Sequence, residues 1–109
     1  MPGGKFSVYV IELDRAVLDE PKFRKRNPNA DPEKECFYVG QTLQHIADRV
    51  RVHMEGERHY NRFVRKYRLK ERPDIYEQYN PLFSRSDAED KEKWLAEKLI
   101  AEGHGVWWN

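Results

Sequence analysis

A single cysteine, Cys36, stands among the 109 residues, so no disulfide can form within the chain. Set inside an apolar run, it reads as a small core residue rather than a nucleophile. No apolar stretch is long enough to span a membrane, and Met1-Pro2-Gly3-Gly4-Lys5 leads into a strand pattern instead of a secretory leader, so the cytoplasm is the expected compartment. Charge of one sign is also lacking. The formal net charge is +1, so only the local distribution of charge carries information about nucleic acid. There is no internal repeat, no low-complexity tract, no glycine-rich loop and no lysine beside Gly40, which weakens a nucleotide-binding reading built on a phosphate cradle. Apolar residues make up 39% and charged residues 36%, which gives one domain over residues 1–109 with a small interior. Five Phe, six Tyr and three Trp supply much of the burial.

What is present centres on Cys36-Phe37-Tyr38-Val39-Gly40-Gln41-Thr42. The first four residues favour a pleated, half-buried surface. Gly40 predicts a turn or a close backbone approach, and Thr42 an N-cap for the helical pattern that follows. A second strand pattern runs over Phe6–Leu13 with Tyr9 at its centre, and its imperfect alternation suits a strand covered on both faces. Between the two strands, Asp14–Glu35 is charged and holds Pro21, Pro28 and Pro32. It reads as an extended excursion, for which a mobile loop without a role is the plain alternative.

After the second strand, Leu43 to about Glu55 reads as a helix with Ile46, Ala47, Val50 and Met54 as its apolar stripe. The chain then turns basic from Arg58 to Arg72, with Tyr60, Phe63, Val64 and Tyr67 interleaved at spacings that predict a short amphipathic helix. Pro73–Pro81 reads as strand or irregular structure. Ser86-Asp87-Ala88-Glu89 reads as a capping box opening a helix that stops at Gly103. The segment from Gly105 to Asn109 is expected to fold back onto the body through its tryptophans.

Several residues break the rule of their own element. On the last helix Glu92 falls in the middle of the stripe formed by Ala88, Leu95, Ala96 and Leu99, where a carboxylate is costly unless paired, protonated or bound to a metal. It is either an edge glutamate bonded to an arginine or a hard oxygen ligand facing a pocket. Arg49 and His53 stand one turn apart, either on a solvated face or in reach of one phosphate. Tyr9 and Tyr38, taken singly, are ordinary core tyrosines. His45, His59 and His104 lack partners at metal spacing and read as surface residues. Arg58, Arg62, Arg65, Lys66 and Arg68, of one sign and interleaved with aromatics, form a candidate contact for a phosphate backbone.

Taken together these pieces resemble the GIY-YIG nuclease family. Val8-Tyr9-Val10 resembles its first tyrosine motif, Tyr38-Val39-Gly40 its second, and Arg49 with His53 its helix pair. Ala88-x-x-x-Glu92-x-x-Leu95 is similar to its acidic motif, and Asn109 stands at its terminal asparagine. The chain departs from the family in the long Tyr9-to-Tyr38 interval and in Ser7 and Val8 at the start of the first motif. The resemblance implies an α+β fold with a small central antiparallel three-stranded sheet flanked by helices. It also implies a metal-dependent endonuclease that nicks DNA, with RNA left open as a substrate. One Mg2+ or Mn2+ per site would be held by Glu92, with Arg49 on the phosphate. Tyr9, helped by Tyr38 and His53, would orient and deprotonate the water. A phenol's ordinary pKa of about 10 requires nearby positive charge for that role. The chief rival is a non-catalytic nucleic-acid-binding or assembly module that keeps the fold. No long apolar face is legible, so a monomer or a weak homodimer is expected.

Overall fold

Two seven-residue strands, β1 (Ser7–Leu13) and β2 (Cys36–Thr42), pair antiparallel along their whole length, from Ser7 opposite Thr42 to Leu13 opposite Cys36. The computed structural model describes residues 6–42 and 61–108. Val8, Tyr9, Val10, Ile11 and Leu13 are all buried, as are Cys36 through Gly40. Successive residues point to opposite faces, so both faces of this pair are covered, which explains the imperfect alternation. Burial pushes the Cys36 thiol up to about 11, which suits a core residue and not a nucleophile.

Gly40 is not a turn. β2 runs through it to Thr42, and Gly40 sits opposite Tyr9. A Cβ at position 40 would lie 2.6 Å from both Cζ and Oη of Tyr9. The glycine is there because a phenol ring lies across the strand, a close approach that only a residue without a side chain permits. Thr42 is accordingly a strand residue. The helix read over Leu43–Glu55, with Arg49 and His53, lies outside the described residues, as do Arg58 and Asn109.

The sheet has four strands in the order β3-β1-β2-β4, where the resemblance implied three, all antiparallel. β3 (Arg68–Glu71) joins β1 antiparallel and completes the expected trio. All four of its residues are exposed, so it is a short charged edge strand, hidden in the sequence within a basic run. β4 (Gly105–Trp108) pairs with β2 in parallel, Gly105 opposite Cys36 and Trp108 opposite Val39. A strand of four residues leaves too short a pattern to be told from a tail.

The Asp14–Glu35 excursion is a folded cover and not a mobile loop. Asp14 accepts from the Ala16 N–H and opens a 3₁₀ helix over Arg15–Asp19, and Pro21 starts α1 (Pro21–Arg26). Val17, Leu18 and Phe23 from this segment are buried, and the Phe23 ring meets Phe63 at 5.5 Å and Trp107 at 6.2 Å. Asn27, 3% exposed, donates to the Phe23 and Val106 carbonyls at 2.9 and 3.0 Å. Its Oδ1 accepts from the Val106 N–H at 2.9 Å, so one amide side chain ties the excursion to the middle of β4.

The amphipathic helix expected in the basic run is α2 (Arg62–Tyr67), capped by Asn61. Pro73–Pro81, read as strand or irregular, forms a helical turn, α3 (Pro73–Tyr76), and a 3₁₀ turn over Glu77–Tyr79. The Asn80 side chain then brackets Val8, accepting from its N–H at 2.9 Å and donating to its carbonyl at 2.8 Å. With Leu82 bridged to Phe6, this segment completes the edge of β1 beside Tyr9. The long helix α4 covers Arg85–Ala101. Its cap is Ser84, two residues before the serine the sequence pointed to: Ser84 has extended backbone and its Oγ accepts from the Asp87 N–H at 3.0 Å. At the other end Gly103 adopts φ 98° and its N–H reaches the Ile100 carbonyl, while the His104 N–H reaches that of Leu99. That pair of bonds is the glycine stop the sequence predicted. His104 is not a plain surface residue, since its Nδ1 lies 2.8 Å from the Glu35 carbonyl and its ring meets Phe37 edge-on. Among the described residues no helix is long and apolar enough to cross a membrane.

Candidate active site

The pleat of the central pair brings the two motif tyrosines to one face. Tyr9 stands opposite Gly40 and Tyr38 opposite Ile11, so the two are diagonal neighbours, with ring centroids 6.1 Å apart and planes at 45°. Both are almost fully enclosed, at 1% and 2% exposure. They form one wall of a cavity of about 400 Å³ whose other lining includes Glu92 from α4, Gln41 from β2 and Trp108 at the end of β4. Residues 9, 38 and 92, far apart in the chain, thus meet around a single space.

Glu92 is the unusual member. Ala88, Leu95, Ala96 and Leu99 are buried with it on the same helix, as its place in the apolar stripe predicted, and Glu92 itself is 6% exposed. Its carboxylate makes no hydrogen bond or ion pair with the described residues. Every fully enclosed side-chain nitrogen or oxygen among those residues has a partner, so the Glu92 oxygens are not fully enclosed, and Glu92 lines the cavity. The edge-glutamate alternative, in which an arginine pairs with it, does not hold among the described residues. Burial, and secondarily the neighbouring Glu89, push its carboxyl up from 4.5 to about 7. A carboxyl in that state changes charge near neutrality.

The rim contributes Glu89, Asp90 and Lys93. Glu89 is one helical turn before Glu92, so its place on the same face was implicit in the helix spacing. Trp108 and Gln41 carried no comparable signal, because the parallel pairing of β4 and the continuation of β2 past Gly40 set their positions.

The basic candidates lie elsewhere. Arg62 and Lys66 reach the two oxygens of Glu20 at 2.9 and 3.1 Å, and Tyr67 donates its hydroxyl to the same carboxylate at 2.6 Å. The Tyr67 hydrogen bond, with those from Lys66 and the nearby cations, holds the Glu20 carboxyl below its ordinary range. Arg62, Arg65 and Lys66 line a separate cavity of about 450 Å³ with Glu20, Phe63 and Tyr67, and none of these residues borders the tyrosine cavity. Arg68 donates to the Arg65 carbonyl at 3.0 Å. Arg72, at the end of the basic run, is committed to structure, bonded to Glu12 at 2.8 Å and to Asp74 at 2.9 Å.

The donor set decides what kind of metal site is compatible. Among the described residues no group of three His, Cys, Asp or Glu side chains is arranged to hold an ion. A carboxylate without a partner among the described residues, beside an open cavity, does not fit a closed structural site. It fits a hard divalent ion of the Mg2+ kind, which keeps waters and is held through one or two carboxylates plus substrate phosphate. The chain matches no family model, no curated protein and no solved structure.

Proposed function

We propose that the protein is a metal-dependent endonuclease of the GIY-YIG type that hydrolyses phosphodiester bonds in DNA and nicks one strand per encounter. One observation carries the reading: Tyr9, Tyr38 and Glu92, a buried carboxylate without a partner among the described residues, converge on one cavity. A retired binding module has no use for such a carboxylate, which repels phosphate and weakens the fold.

In this reading Glu92, in its ionised form, would hold the ion. When bound, Mg2+ or Mn2+ would supply charge stabilisation to the scissile phosphate and to its leaving oxygen. Tyr9 and Tyr38 position the attacking water. Their hydroxyls are carried on rigid, paired strands, so the water they hold loses its freedom before the reaction and not during it. Water oxygen attacks phosphorus as its proton passes to the phenolate oxygen of Tyr9, the phosphorus–oxygen bond on the far side breaks, and the departing alkoxide takes a proton from solvent water. Arg49, with His53 beside it, is assigned by resemblance to the non-bridging oxygens, where negative charge grows. Arg65 and Arg68 are assigned to the phosphate backbone beyond the cut. Arg62 and Lys66 can join them only by sharing or leaving Glu20.

The test is incubation of the purified protein with labelled DNA in Mg2+, Mn2+ or EDTA. Cleavage is expected with either ion and not with EDTA. Tyr9→Phe and Tyr38→Phe should each lower kcat by about 10²–10⁴-fold, the range for a positioned proton-transfer group, with little change in KM. Full activity in both phenylalanine variants would remove the tyrosines from the mechanism.

A further inference from the structure

The cavity is larger than a phosphate and metal ion need, and one wall is an indole. At about 400 Å³ it falls within the range of roughly 300–1,000 Å³ for clefts that take ring-bearing ligands. Trp108, in register with Val39 on the neighbouring strand, lines it. That indole is held firmly. The Arg26 guanidinium lies 4.6 Å from its ring centroid and 4.3 Å from that of Trp107, and Arg26 donates to the Trp108 carbonyl at 2.8 Å. A ring fixed in this way loses little freedom when a second ring stacks on it. The rim carries two carboxylates, Glu89 and Asp90, with the ammonium of Lys93. Carboxylates repel a second run of backbone phosphate, but they accept hydrogen bonds from the exocyclic amines of bases.

We infer that Trp108 is a stacking surface for the nucleobase flanking the scissile phosphate, so that the preferred substrate is DNA with an unpaired nucleotide at the cut. The inference rests on the nuclease reading of this cavity. A base inside a duplex presents no free face to an indole, and taking it out of the stack costs energy unless it is already unpaired. Stacking of one base on one aromatic side chain discriminates by about tenfold or more. A gapped or frayed strand therefore gains over paired duplex by that factor.

Tryptophan emission is followed while the intact protein is titrated, in EDTA, with a duplex carrying a short single-stranded gap and with the same duplex fully paired. Cleavage of both is then measured in Mg2+. The gapped DNA is expected to quench emission in the wild type and in Trp94→Phe, and to bind and be cut about tenfold better than paired DNA. Trp108→Leu should lose the quench and bring the cleavage ratio close to unity. Replacing the unpaired nucleotide by an abasic one should do the same to the wild type, which keeps the test informative if Trp108→Leu folds poorly. Equal binding and cutting of gapped, abasic and paired DNA by the wild type would overturn the stacking assignment and leave the nuclease reading intact. Quenching through Trp108 without cleavage in Mg2+ or Mn2+ would leave Trp108 as a base-binding surface and defeat the nuclease reading.

Discussion

Glu92→Gln keeps the shape of the side chain and removes its charge, which separates a tolerated carboxylate from a useful one. The folded-state value of about 7 lies above the ordinary 4.5, so between those values the folded protein binds more protons than the unfolded chain. Stability then falls as pH rises through this window and levels off above it. Measured in EDTA, Glu92→Gln should match the wild type near pH 4.5 and exceed it above pH 7.5 by on the order of 3 kcal/mol, read from urea midpoints at each pH. A glutamine variant less stable at high pH would reveal a stabilising partner for the carboxylate. Gly40 makes the second prediction at this scale. Because Tyr9 is enclosed and cannot swing away, Gly40→Ala should cost about 1–3 kcal/mol through overpacking. In a Tyr9→Leu background most of that cost should vanish, and additivity of the two changes would disprove the close approach of ring and strand.

The ends of α4 show how far the sequence carried the elements. Its glycine stop, its apolar stripe and the misplaced Glu92 were all legible, because helical periodicity is a local property. Its start was not, because Ser84 and Ser86 are both capping residues and only the chain's approach selects between them. Ser84→Ala should therefore cost about 1 kcal/mol and Ser86→Ala a few tenths at most, a difference thermal unfolding resolves. The strand pair β1–β2 was legible for the same local reasons, whereas β4 and the folded excursion were not. Asn27 reads as a turn residue, and nothing near it in sequence announces that its amide serves Val106 across 79 positions. Of the two uses read for Gly40, a turn or a close approach, the second holds, and the ring it accommodates comes from another strand. The tyrosine–glutamate constellation was assembled from the resemblance. Trp108 joined the cavity only through a parallel pairing that periodicity cannot express.

At the scale of the whole molecule, a net charge of +1 leaves DNA attraction to local cations. Replacing Arg65 and Arg68 by Gln should flatten the salt dependence of DNA binding by about one unit of slope for each arginine replaced. An unchanged slope would make them ordinary surface residues. In the proposed reading one cavity with one Glu92 would hold one scissile phosphate at a time, so a single copy should cut one strand, and paired cuts would need a symmetric second copy. The most direct measurement of the central claim is time-resolved cleavage of supercoiled plasmid at low protein concentration in Mg2+, wild type beside Glu92→Gln, with folding of both verified by circular dichroism. The account predicts open circles accumulating before any linear product with the wild type, and no cleavage by a Glu92→Gln protein that is folded and at least as stable. Cleavage by Glu92→Gln at the wild-type rate would contradict it.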